Sequence, residues 1–200
     1  MFRAQTFALA AVTFIGTAVA QAATFEIDPV HTTVQFAVRH MMVSNVRGTF
    51  GKVSGTVNLD ETDPSKSSIQ ATIDATSIDT REPKRDAHLK SPDFLDVANH
   101  PTITFKSKRV TKVADDKYQV LGDLTIHGVT KEAVLDVEGS PRTVTDPSGT
   151  PKVGGSAHTK INRKDFGITW SKSLDGGGVM VGDDIDITID VELKKSAPAA

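Results

Sequence analysis

The 200-residue chain has no cysteine, one tryptophan, one tyrosine and no excess of basic residues. Without cysteine there is no disulfide, no thiolate chemistry and no lipid anchor on a cysteine, so stability has to come from the core and the backbone ladder. A net charge of −2 gives no clustered basic footprint of the kind nucleic acid requires. Nucleic acid is therefore excluded as a partner. Long apolar runs are also missing, except at the start of the chain.

That exception is Met1 to Ala22. Arg3 precedes an apolar run from Phe7 to Ala20, and small residues follow at Ala18-Val19-Ala20 and Ala20-Gln21-Ala22. The pattern is that of a secretory signal, with cleavage expected after Ala20 or Ala22. The run is short for a bilayer core of about 30 Å, which takes about 20 residues. Residues 1–22 are accordingly read as a removed leader, 23–193 as one domain and 194–200 as a disordered tail. Removal leaves 22 basic and 25 acidic residues, and the leader marks the protein for export.

What the chain has in abundance is alternation with period two, the mark of strands with one buried face. Val34, Phe36 and Val38 share a face, as do Gly51, Val53, Val57 and Leu59, and then Ile69, Ala71, Ile73 and Ala75. Ile103 with Phe105, then Tyr118, Val120, Leu124 and Ile126, continue the pattern. His127-Gly128 turns the chain into Val129, Ala133, Leu135 and Val137, a hairpin. Val153, Ala157 and Ile161 follow a Pro/Ser/Thr/Gly loop, and Ile185 to Leu193 alternates with acidic residues that read as a solvated face discouraging edge pairing. About eight strands without a βαβ rhythm predict an all-β antiparallel fold, a barrel or a sandwich. Arg85 to Ser107 is its one irregular insertion, helical around Ala87 and Leu89, broken at Ser91-Pro92 and running through Asn99-His100-Pro101 into a strand.

An eight-stranded barrel is just wide enough to be packed solid or to hold one small ligand. The inward positions include many small residues, namely Gly51, Gly55, Ala71, Ala75, Ala133, Gly155 and Ala157. Such a lining suits an elongated apolar void, and equally suits relief of crowding where strands bend. Pattern alone leaves both open.

Catalytic and metal motifs fail in turn. The six histidines form no H-E-x-x-H or H-x-H pair, so a metal site would have to be assembled from distant segments. Gly154-Gly155-Ser156-Ala157-His158 lacks the last glycine of a nucleophile elbow and lies in a strand pattern. Asp175-Gly176-Gly177-Gly178 lacks the G-K-[ST] of a phosphate loop and reads as a flexible turn. No enzyme, no cofactor and no metal is expected on these grounds.

Several motifs nevertheless carry a resemblance. Asp28-Pro29-Val30-His31-Thr32, Val46-Arg47-Gly48-Thr49-Phe50, Arg85-Asp86-Ala87-His88-Leu89 with Asp93-Phe94, and Pro101 to Ser107 occur in the order seen in the YceI-like family. Gly122 to Thr130, Ile161 to Gly167 and Val181-Gly182-Asp183-Asp184 extend the likeness, which covers Phe25 to Leu193. The resemblance implies a lipocalin-like barrel, exported to the periplasm, that carries a long amphiphile such as an isoprenoid quinone, a polyprenyl phosphate or a fatty-acid-like chain. The same barrel occurs fused to b-type cytochromes. That brings a membrane cytochrome into view as a partner, and with it an alternative role as an enzyme or redox accessory acting on the lipid. A homodimer is compatible with the resemblance, although the periodicity carries no sign of one.

On this reading the expected apolar lining is Phe36, Val38, Phe50, Phe94, Phe105, Leu124 and Ile126, with Phe166 and Trp170 as closures. Arg85, His88 and Arg163 are the candidates for a polar head group, with Asp86 and Asn162 orienting them. Met41-Met42 is expected as an adaptable lip. Structural duties compete at each position: Arg85 and Asp86 as a surface ion pair, His88 as a cap on the insertion.

Overall fold

A computed structural model describes residues 22–196. Residues 1–21 of the expected leader and the last four residues of the expected tail lie outside them. The elements are β1 (Ala23–Ile27), β2 (Thr33–His40), β3 (Ser44–Phe50), β4 (Val53–Leu59), β5 (Ser68–Asp74), β6 (Ile78–Asp79), α1 (Pro83–Lys90), β7 (Thr102–Ala114), β8 (Lys117–Ile126), β9 (Val129–Glu138), β10 (Val144–Thr145), β11 (Pro151–Asn162) and β12 (Val181–Lys195). Every pairing is antiparallel, and following the neighbours from β12 through β11, β9, β8, β7, β5, β4 and β1 leads back to β12. The sheet is a closed eight-stranded barrel of lipocalin-like form, with no free edge along that circuit.

Three of the eight staves are bent. β1 and β2 succeed one another along β12, interrupted by residues 28–32; β3 and β4 succeed one another along that stave, and β5 and β6 along the next. Two sequence expectations change here. Gly51 is exposed at the kink between β3 and β4, so it leaves the face shared by Val53, Val57 and Leu59. β1 was hidden because it sits directly behind the leader, yet its Phe25 is fully buried.

β12 is the longest strand, and it is a central stave. Its outer carboxylates therefore do not guard an edge: Asp186 lies 3.4 Å from Lys160 on β11. It also runs past Leu193. Lys194 pairs with Glu26, Lys195 pairs with Phe25 and the Ser196 amide donates to the Thr24 carbonyl at 2.9 Å, so residues 194–196 of the expected tail belong to the sheet.

A two-residue turn at His127-Gly128 joins β8 to β9, with φ of 52° and 73°. Two successive left-handed residues match the twist of the flanking strands, and the glycine bears its share without Cβ strain. β9 and β11 pair only over Asp136 to Glu138 with Ser156 to His158. Beyond that seam a short 3-10 turn, Arg163–Phe166, packs against β9, β11 and β12.

The insertion closes one end of the barrel. Pro83 opens α1 with its preset φ, and the Glu82 side chain accepts from the Lys84 amide as the cap. The chain then folds back on itself, with the Leu95 and Val97 amides donating to the Leu89 and Lys90 carbonyls at 3.0 and 3.1 Å. Leu89, Phe94 and Leu95 reach the barrel interior from this segment.

Candidate functional site

The barrel encloses a cavity of about 350 Å³, within the range of sites that take small ligands. Its wall is built by the inward faces of the staves: Ile185, Ile187, Ile189, Val191 and Leu193 from β12 alone. From Ile185 to Leu193 that row spans roughly 26 Å at about 3.3 Å per residue. The void is therefore elongated along the strands.

Eight of the nine residues expected in the lining are there: Phe36, Val38, Phe50, Phe94, Phe105, Leu124, Ile126 and Phe166. Trp170 is not. Its ring stands behind Phe94, with centroids 5.2 Å apart, and forms with His88 and Phe94 an aromatic cluster that holds the insertion to the loop after the 3-10 turn. Of the small residues, Ala71, Gly155 and Ala157 face the void, while Ala75 is buried outside it.

Two rings lie where a glycine leaves room. A Cβ on Gly48 would sit 2.5 Å from the Phe36 ring, and one on Gly122 would sit 2.5 Å from the Phe105 ring. Both aromatics thus fold against the wall instead of standing across the tube. Space is preserved by what the glycines lack.

The polar candidates behave differently. Arg163 lines the cavity, but its guanidinium is turned into the protein. Nε donates to the Gly182 carbonyl at 2.9 Å, Nη1 to the Ile168 and Trp170 carbonyls at 2.7 and 2.8 Å, and Nη2 to the Val181 carbonyl at 3.3 Å and Asp183 Oδ1 at 3.1 Å. A guanidinium has five N–H donors, and all five are committed. Burial pushes the guanidinium pKa below its ordinary value, against the Asp183 carboxylate, which raises it.

Arg85, His88 and Asn162 do not line the cavity. Arg85 donates from Nε and Nη2 to the Thr80 hydroxyl and carbonyl at 2.8 and 2.7 Å, and Asp86 accepts from the Thr80 amide at 2.9 Å and from its hydroxyl. The two clamp α1 onto the end of β6 instead of pairing with each other. His88 Nε2 is 2.9 Å from Asp93 Oδ2. Asn162 caps the 3-10 turn by accepting from the Lys164 amide at 3.0 Å. Met41 and Met42, the expected lip, form the exposed tip of the β2–β3 hairpin, away from the lining.

What the sequence reading missed is a clamp outside the wall. Lys152 Nζ lies 2.8 Å from both Asp28 Oδ2 and Glu192 Oε1, and so joins the bend after β1 to β11 and β12. The bonds from Lys152 and His31 hold the Asp28 carboxyl far below the usual carboxylate range, and Asp28 with Glu192 raises the Lys152 ammonium well above its own. Asp28 and His31 belong to a motif already noted, but Lys152, at the start of β11, stands in no motif.

The wall contains no carboxylate, histidine or lysine, and its one charged residue is spoken for. Such an arrangement accommodates an uncharged chain and nothing that needs an internal counter-ion. Fold and cavity together define a hollow, lipocalin-like β-barrel. The chain belongs to the YceI-like family, whose model, the YceI-like domain, matches residues 25–193. A UPF0312 protein of Staphylococcus aureus is 37% identical over 172 residues, which is 86% of this chain and 98% of that protein. The crystal structure of a YceI protein from Campylobacter jejuni superposes with a TM-score of 0.68 at 32% identity, over 79% of this chain and 90% of its own. A polyisoprenoid-binding domain from Saccharophagus degradans shares the fold, with a TM-score of 0.63 at 14% identity over 88% of this chain and 99% of that one.

Proposed function

We propose that this protein is an exported carrier that binds a long isoprenoid chain, of the isoprenoid quinone or polyprenyl phosphate kind, inside the barrel. The observation that carries the reading is the wall: an elongated void of about 350 Å³ faced almost throughout by aliphatic and aromatic side chains. Each CH₂ moved from water into such a void is worth about 0.8 kcal/mol, so a long chain needs few polar contacts. The polyisoprenoid-binding domain with the same fold supports the ligand class. The leader-like residues 1–22 support a periplasmic location.

A binding role fits the lining better than a catalytic one. General acid–base work needs a titratable group within hydrogen-bond reach of the reacting atom, and the wall offers no such carboxylate, histidine or lysine. The head group then belongs outside the dry part of the tube. Since Arg163 has no donor left for it, selection acts on the chain more than on the head.

Native mass spectrometry of the protein purified from a bacterial periplasm without detergent, followed by organic extraction, tests this. A stoichiometric prenyl-chain adduct is expected, with more than one head group tolerated. A clean unliganded mass together with no uptake of added quinone or polyprenyl phosphate would overturn it.

A further inference from the structure

The fold assembles a cluster that no local sequence pattern displays. Asp96 and His100 come from the returning part of the insertion and His127 from the β8–β9 turn, and one donor atom of each lies within 4.8 Å of the others. Asp96 is 9% exposed and takes part in no ion pair among the described residues. Its Oδ2 accepts only from Asn99 Nδ2, at 2.8 Å. A buried carboxylate without a cation is costly.

The histidines are presented as ligands. His127 Nδ1 is 3.3 Å from the Phe166 carbonyl. A carbonyl can only accept, so Nδ1 carries the proton and Nε2 is left with its lone pair. A ring held in this way by a backbone carbonyl is the usual support behind a metal-bound imidazole. Neither nitrogen of His100 has a hydrogen-bond partner among the described residues, and its ring meets that of His127 edge-on with centroids 5.1 Å apart. Gly128 makes the approach: a Cβ there would sit 2.5 Å from His100 Cε1.

We propose that Asp96, His100 and His127 form a binding site for a divalent transition-metal ion, with Zn²⁺ the best match to two imidazoles and one carboxylate. Bonds of about 2.0–2.1 Å in a tetrahedral site place donor atoms about 3.3 Å apart. The three groups reach that spacing by a small closure, for which His100 gives up no existing bond. Three protein ligands leave the fourth position to water or to another donor. Because Leu95 precedes Asp96 and Ile126 precedes His127, and both line the cavity, the ion would tie the end closure to the barrel wall.

A second triad, Asp28, His31 and Glu192, has comparable spacing but already holds a cation. The Lys152 ammonium lies 2.8 Å from both carboxylates. It serves as an internal control.

The test uses the untagged mature chain, stripped with a chelator and titrated with Zn²⁺ by calorimetry and with Co²⁺ by visible absorption. One ion per chain is expected, with a Co²⁺ ligand-field band. His100→Ala and His127→Ala should each weaken binding at least roughly a hundredfold, beyond what loss of a supporting partner costs, and His31→Ala should leave it unchanged. Circular dichroism establishes that each variant is folded, and His100→Gln replaces any that is not. Absence of saturable uptake, or uptake that survives His100→Ala and falls with His31→Ala, would overturn the assignment. None of these readouts depends on the barrel carrying a lipid.

Discussion

Arg163 is a cross-link within the protein. Its five donors satisfy four backbone carbonyls from the segments 168–170 and 181–182 together with Asp183. Arg163→Met strands the buried carbonyls, while Asp183 keeps Lys164 at 2.8 Å; unpaired buried acceptors make this a loss of about 1–3 kcal/mol, measurable by urea denaturation. Arg163→Lys should recover only part of it, since a lysine ammonium has three donors and no planar fork. Lipid uptake by the folded fraction should be unchanged; a selective loss of phosphate-headed ligands would restore Arg163 as a contact.

The Lys152 clamp predicts a pH dependence with two limbs. The Asp28 pKa is lowered by its Lys152 and His31 bonds, so its contribution is full above the ordinary carboxylate value and is lost as pH falls through the depressed one. The Lys152 pKa is raised, so its contribution is full below the ordinary ammonium value and is lost as pH rises through the elevated one. The stability gap between the wild type and Lys152→Met should therefore be flat across neutral pH and shrink below about pH 4. Thermal melts from pH 2 to 8 read this directly. A gap independent of pH down to 2 would make the clamp a packing contact.

At the scale of elements, the closure of the barrel rests on the aromatic cluster of His88, Phe94 and Trp170. Phe94 faces the void on one side and Trp170 on the other, so the tryptophan positions a wall residue without touching the cavity. Trp170→Ala should raise amide exchange in residues 83–100 selectively, while the β7–β8–β9 meander keeps its protection. Uniform acceleration across the barrel would mean that the insertion is part of the global unfolding unit.

The wall was legible from sequence because inward direction in a strand follows from parity, a purely local property. Phe36, Phe105, Leu124 and Ile126 needed no knowledge of their neighbours. Where parity breaks, the reading broke as well: Gly51 falls at a kink and Trp170 in a loop. The bonding of the polar residues was not legible, for a different reason. The partners of Arg163 lie up to twenty residues away and are mostly backbone carbonyls, and carbonyls carry no side-chain signature. Asp96, His100 and His127 remained invisible as a set because a reversing insertion, not a spacing, brings them together.

For the whole molecule, a closed barrel stays hollow only if its inward residues leave the middle of the tube unfilled, and here small side chains and folded-back rings do so. The void costs packing energy that solid barrels keep, which is a reason to look for a ligand that returns it. Ala71 and Ala157 both face the cavity from opposite parts of the wall, on β5 and β11. Ala71→Leu with Ala157→Leu puts six extra aliphatic carbons into existing space. If the void is a binding site, the double variant should keep or raise its melting temperature, because the added carbons are buried without displacing neighbours. It should also lose most of its prenyl-chain uptake in the mass spectrometry experiment. A melting temperature that falls sharply would show that the interior is already packed to its limit, and the carrier reading would fall with it.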